Sequence, residues 1–230
     1  MTRRLITAID TPDFTRAQNL VQEVAPHCGM VKLGLEFFLR HGPEGYRAAA
    51  QGHDVFLDLK LYDIPNTVAG AVRSLAPLGA KLLTIHASGG AKMIEAAAKA
   101  AAEAGPQRAK ILAVTVLTSF DEEGLAQTGV VDGAAQQAVR LARLALAAGA
   151  DGIVCSAHEI SPLRDALGRQ PLLVVPGIRP VGAAHGDQAR VMTPEQAVAA
   201  GADYIVVGRP ITGAPNPAQA AADIAASIIG

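Results

Sequence analysis

Residues 54–67 read DVFLDLKLYDIPNT. The segment from Asp54 to Lys60 has the apolar character of a strand, and the Pro-containing turn IPNT after it leads into a helix. Side chains along a strand alternate in direction, so Leu57, Leu59 and Leu61 share one face and Asp58 and Lys60 the other. The leucines suit contact with helices; the charged pair then faces the inside of whatever the strands enclose. Working outward, the same alternation of a short apolar run and an Ala-rich amphipathic stretch recurs along the whole chain. It predicts eight strands, near 5–10, 30–35, 54–60, 82–87, 111–117, 152–157, 172–177 and 204–209. Helical stretches such as GGAKMIEAAAKAAAEAG and GAAQQAVRLARLALAAGA lie between them. The GAD triplets at 149–151 and 201–203, and LGA at 78–80, fit a glycine that ends a helix in the left-handed conformation just before a strand. Eight βα units with no Pro-, Ser- or Gly-rich linker predict an α/β fold of the (β/α)8 TIM-barrel type, a single domain over residues 1–230. A doubly wound open sheet is the alternative.

Composition agrees with a large core and narrows the partner. Half of the 230 residues are hydrophobic and 18% are charged, enough to bury a substantial interior without disulfides. A formal net charge of -1 provides no field for nucleic acid or an acidic membrane, so the expected partner is a small molecule whose anionic group is caught by a few placed cations. Cys28 and Cys155 stand apart, in neither CxxC nor metal-ligand spacing, which reads as a reducing, cytoplasmic compartment. MTRRLITAID lacks the apolar length and cleavage site of a secretory signal, and no membrane association is expected.

In such a barrel chemistry sits at the C-terminal ends of the strands, and that is where unusual residues fall. Asp10 ends the first strand, Lys32 lies on the second, Asp58, Lys60 and Asp63 end the third, Thr118 and Ser119 follow the fifth, PGIRP the seventh, and Gly208 and Arg209 the eighth. Unpaired charges facing the interior are costly, so an alternating array of Lys32, Asp58, Lys60 and Asp63 is expected to compensate itself and to keep lysine ammonium groups ready as proton donors. A salt-bridge network that only fixes strand register is the alternative. Asn66 and Thr67 fall at or near the N-cap of the next helix. The loops after strands seven and eight suit a phosphate monoester: Gly177 and Gly208 allow close backbone approach, and Arg179 and Arg209 supply guanidinium forks. The first of these loops, about sixteen residues long, is expected to act as a lid, with Gln188 donating to the phosphate or to a substrate ring. His86, at the end of strand four, is assigned a structural role under the cavity; His27, His41, His53, His158 and His185 lack ligand spacing and are given no role in catalysis.

Taken together, AID (8–10), VKLGLEFF (31–38), FLDLKLYDIPNT (56–67), HASGG (86–90), VTVLTS (114–119), VCSAHE (154–159), PGIRP (176–180), GDQARVMTP (186–194) and VGRPI (207–211) closely resemble the bacterial orotidine 5'-phosphate decarboxylases over essentially the whole chain. One small departure is Ile9, where many relatives have Leu. The resemblance implies decarboxylation of orotidine 5'-monophosphate to UMP in de novo pyrimidine synthesis, with no metal or organic cofactor. It implies that Asp10 and Lys32 bind the ribose hydroxyls, that Asp58 faces the substrate carboxylate, and that Lys60 delivers the proton to C6. Thr118 or Ser119 would read the pyrimidine edge, and Pro176, Arg179, Gln188, Gly208 and Arg209 would line the phosphate and lid region. It also implies a homodimer in which Asp63 and Thr67 reach into the partner's site. Two rival readings remain. The keto-gulonate-phosphate decarboxylases and hexulose-phosphate synthases share DxKxxD but use Mg2+ and carry Glu at the position of Lys32, and a non-catalytic nucleotide binder would keep the pocket without turnover.

Overall fold

The computed structural model describes residues 4–180 and 192–228. Eight parallel strands close into a barrel in chain order: β1 (Leu5–Ile9), β2 (Met30–Gly34), β3 (Val55–Leu61), β4 (Leu82–His86), β5 (Lys110–Val114), β6 (Gly152–Val154), β7 (Leu172–Val175) and β8 (Tyr204–Val207), with β8 pairing back to β1. The open-sheet alternative is thereby excluded. Strands five, six and seven stop earlier than the sequence suggests, because their apolar runs continue past the last residue that has a ladder partner. The extra residues, among them Val116 and Cys155, form the mouth of the barrel instead.

Helices α1 (Phe14–Val24), α2 (Leu35–Ala50), α3 (Pro65–Leu75), α4 (Gly90–Ala102), α5 (Glu122–Gln127), α6 (Gly133–Ala147), α7 (Ile160–Leu167), α8 (Pro194–Ala200), α9 (Arg209–Thr212) and α10 (Pro217–Ser227) connect the strands or follow the last of them. In α1 the buried residues Ala17, Leu20, Val21 and Val24 recur at helical spacing, so one stripe faces the sheet. Asp13 caps its start by accepting the Arg16 amide at 2.8 Å. Among the described residues no helix is long and apolar enough to cross a membrane.

Period-two alternation divides each strand between two cores. Leu5, Leu33, Leu57, Leu83, Ile111, Ile153, Leu173 and Ile205 point outward into the shell between sheet and helices. Ile6, Met30, Phe56, Leu82, Leu112, Val154, Val174 and Val206 point inward and fill the lower barrel. Each such side chain, fully buried, contributes about 1.5–3 kcal/mol of transfer free energy. Above this apolar plug a cavity opens toward the strand C-termini.

The GAD triplets do more than end helices. Gly149 and Gly201 have φ of 94° and 116°, the left-handed geometry expected after a helix. Asp151, just ahead of β6, accepts the Ile111 amide of β5 at 2.7 Å and both Nη atoms of Arg108 at 2.6 and 2.7 Å. Asp203, just ahead of β8, accepts the Leu173 amide of β7 at 2.7 Å and Arg164 Nη2 at 2.7 Å. Each aspartate thus ties the bottoms of adjacent strands together where the ladder begins.

Candidate active site

The inward columns that fill the lower barrel continue upward into a layer that is mostly polar. Ile6 and Ala8 lead to Asp10, Met30 to Lys32, Phe56 to Asp58, Leu82 to Thr84, Val174 to Pro176 and Val206 to Gly208. At the barrel mouth is a cavity of about 410 Å3, which Asp10, Lys32, Asp58, Lys60, Thr118, Pro176, Gly177, Arg179, Gly208 and Arg209 line.

On its floor lies a chain of opposite charges. Lys32 Nζ is 3.0 Å from Asp10 Oδ1 and 3.5 Å from Asp58 Oδ2, and Lys60 Nζ donates to both Asp58 oxygens at 2.8 and 2.9 Å. Burial disfavours the Lys32 ammonium, but Asp10 and Asp58 outweigh it and its pKa is raised. Burial likewise pushes the Asp58 carboxyl up; Lys32, then Lys60, and the hydrogen bonds from Lys60 and Thr84 hold it below the usual carboxylate range. At neutral pH Lys32 and Asp58 are therefore both ionised in the same water-poor pocket.

Lys60 does not sit in a regular strand. Its φ is +50°, in the left-handed region that a non-glycine residue occupies at a cost of about 1–3 kcal/mol. The pairing of β3 with β4 slips at the same place: Leu57 pairs with Leu83, while Leu61 pairs with Ile85. The displaced Lys60 amide donates to Thr84 Oγ1 at 2.8 Å, and that hydroxyl donates to Asp58 Oδ1 at 2.9 Å. Thr84, fully buried, was not among the residues singled out from sequence. Its signal was a polar residue at an inward position of LLTIH, between Leu82 and His86.

Other expected residues divide. Asp63 is exposed and outside the cavity; it accepts the Ile64 amide at 2.6 Å and makes no ion pair with any described residue. The array within one chain is therefore Asp10, Lys32, Asp58 and Lys60, because the chain leaves the strand after Leu61 and carries Asp63 onto the rim. Asn66 and Thr67 belong to the first turn of α3, behind Ile64 at the N-cap. Thr118 borders the cavity, whereas Ser119 is exposed and does not. His86 is half-buried with its ring 5.6 Å from that of Tyr62. Burial and then the Lys60 ammonium lower its pKa against a smaller pull from Asp58, so the imidazole is neutral at pH 7. Gln188, His185 and residues 181–191 of the expected lid loop lie outside the described residues. The base of that loop is pinned by a parallel bridge between Ile178 and Met192, with the Arg179 amide donating to Met192 O at 3.0 Å. Among the described residues, no three His, Cys, Asp or Glu side chains converge as a metal site.

Residues 3–224 match the family described as Orotidine 5'-phosphate decarboxylase / HUMPS. The chain belongs to this family. It is 57% identical over 226 residues to an orotidine 5'-phosphate decarboxylase of Anaeromyxobacter sp. (strain K), covering 98% of each chain. It is 54% identical to that of Gluconobacter oxydans (strain 621H), over 95% of this chain and 94% of the relative. The crystal structure of orotidine 5'-phosphate decarboxylase from Lactobacillus acidophilus superposes with a TM-score of 0.87 at 36% identity, covering 99% of this chain and all of the other. Membership in the decarboxylase family gives the charge array on the cavity floor a chemical context.

Proposed function

We propose that the protein converts orotidine 5'-monophosphate to UMP and CO2, the closing step of UMP synthesis, without a cofactor. The observation that carries this reading is the Asp10–Lys32–Asp58–Lys60 array at the base of the mouth cavity in a chain of this family. Loss of CO2 from C6 breaks the ring-to-carboxylate bond and leaves its electron pair in the plane of the pyrimidine, where the ring π system cannot take it up. A fixed ammonium stabilises that pair far better inside a preorganised cavity than in water. Lys60 then gives a proton from Nζ to C6, the bond electrons become the new C–H bond, and the amine left behind regains a proton from solvent. Asp58, clamped by both lysines, faces the departing carboxylate, and Lys32 with Asp10 holds the ribose hydroxyls. Thr118 contacts the pyrimidine edge.

At the other end of the cavity, Arg179, Arg209, Pro176 and the backbone at Gly177 and Gly208 receive the phosphate, with Gln188 as a further donor. The phosphate is remote from C6, so its binding energy acts by assembling the site. A homodimer completes each site with Asp63 and Thr67 of the second copy; this is supported by the exposed apolar side chains of Tyr62 and Ile64 on either side of Asp63, and of Leu35 and Leu39 on α2. Cys28 and Cys155, buried and not in a disulfide, fit a cytoplasmic setting.

The test is loss of the orotate chromophore of orotidine 5'-monophosphate with protein held in EDTA. Turnover should persist in EDTA and vanish in Lys60→Ala. A strict requirement for Mg2+, or undiminished turnover by Lys60→Ala, would overturn the reading.

A further inference from the structure

Resting on the proposed decarboxylation, we infer that Thr84 is a positioning residue whose hydroxyl clasps the β3 bulge and so aims the Lys60 ammonium into the cavity. The observation is a directed relay across two strands. The Lys60 amide donates to Thr84 Oγ1 at 2.8 Å, and Thr84 Oγ1 donates its single hydrogen to Asp58 Oδ1 at 2.9 Å. That oxygen also accepts Lys60 Nζ at 2.8 Å, so one hydroxyl touches both the backbone and the counter-ion of the same lysine.

The geometry demands such a group. Along β3 the Asp54 carbonyl faces β2 and the Val55 carbonyl faces β4, so in a regular strand the Lys60 amide would face β2; the irregularity between Leu57 and Leu61 instead turns it toward β4, onto the Thr84 hydroxyl. An inward-facing hydroxyl is both acceptor and donor, so it can replace the ladder bond and orient the carboxylate together. Valine has nearly the same shape and neither capacity. Without the hydroxyl, the partly buried Lys60 amide loses this acceptor, and its φ of +50° loses a restraint against the extended conformation its neighbours favour. Extension at this residue would swing Nζ out of line with the cavity floor. Thr84 lies outside the Arg179 and Arg209 end of the pocket, so affinity for the phosphate should not follow.

The experiment compares Thr84→Val and Thr84→Ser with the parent protein by steady-state kinetics on orotidine 5'-monophosphate and by hydrogen exchange at the Lys60 amide. Thr84→Val should lose about ten- to a hundredfold in kcat, the factor expected when a hydrogen bond to a charged group is removed, with KM within about threefold. Thr84→Ser should recover most of kcat, and Lys60 amide protection should fall in the valine variant alone. Equal kcat in Thr84→Val and parent, equal losses in the valine and serine variants, or a KM change as large as the kcat change would overturn the clasp. If Thr84→Val does not fold, Thr84→Ala against Thr84→Ser carries the same comparison, and equal kcat would again overturn it. Failure of the parent to turn over this substrate would remove the proposed function instead. Exchange at Lys60 would then decide the clasp alone, with protection unchanged in the valine variant as the refuting result.

Discussion

Asp58→Asn probes the charge array as a structural device as well as a chemical one. The carboxylate lies between two ammonium groups, with Lys60 at 2.8 Å and Lys32 at 3.5 Å. At an effective dielectric of about 20, each pair supplies about 5–6 kcal/mol of gross attraction, against several kcal/mol of desolvation per buried ion. Breaking a buried pair by removing one partner costs about 3–5 kcal/mol. Two features lower that figure here: Lys32 keeps Asp10 at 3.0 Å, and the Lys60 side chain is 36% exposed, so water takes up part of the loss. The expected destabilisation at pH 7 is about 2–3 kcal/mol, or a fall in Tm of about 4–12 °C for a chain of this size. The pH dependence has a definite sign. The folded-state pKa of Asp58 is depressed below its ordinary 3.8, so its contribution is full above that value and disappears as pH falls through the folded pKa. Urea unfolding of both proteins from pH 7 to pH 2.5 should therefore show a stability gap that is nearly constant down to about pH 4 and narrows below it. A gap that persists unchanged into acid, or none at pH 7, would refute the reasoning.

Three further outcomes follow from other parts of the molecule. Mixing Lys60→Ala with Asp63→Ala protein should restore turnover in hybrid dimers if Asp63 completes the partner's site; mixtures as inactive as their components would place both residues in one self-contained site. Asp151→Ala leaves the Ile111 amide and the Arg108 guanidinium without their shared acceptor and should cost about 1–3 kcal/mol, read as a lowered Tm with kcat preserved. Gly152→Ala would bring a Cβ to 2.6 Å from both Cβ and the carbonyl oxygen of Leu172. Because that contact is with β7 backbone, it should destabilise by about 1–3 kcal/mol in thermal melts, and an unchanged Tm would show that the strands can separate without cost.

The barrel and most of its mouth were legible because both rest on short-range regularities. Alternation at a period of two puts Phe56, Asp58 and Lys60 on the inward face, and the same parity carries the columns of β1 and β8 up to Asp10 and Gly208. The failures begin where a residue's position depends on a distant neighbour. DLKLYD places Asp58, Lys60 and Asp63 close together in sequence, which with Lys32 suggests four interleaved charges; within one chain the turn after Leu61 instead carries Asp63 to the rim, where its partner is the adjacent amide. The left-handed conformation of Lys60 was equally hidden, since Leu59 and Leu61 on either side read as an unbroken strand.

Thr84, Asp151 and Asp203 share a physical task. Each accepts a backbone amide of an adjacent strand at a point where the parallel ladder is slipped or has yet to begin: Lys60, Ile111 and Leu173 are the donors. The donors lie 24, 40 and 30 residues from their acceptors, so no local pattern announces the bond. A buried amide cannot go unpaired without a penalty, and a closed barrel has both irregular and terminal rungs to satisfy. At the strand starts the solution is an aspartate, whose charge an arginine balances. At the β3 bulge, beside a carboxylate already shared by two lysines, a second anion would disturb the array, and a neutral hydroxyl meets the same need. The chemistry of the cavity floor thus selects which side chain completes the sheet there, and a polar residue inside an otherwise apolar strand is the trace this selection leaves in the sequence.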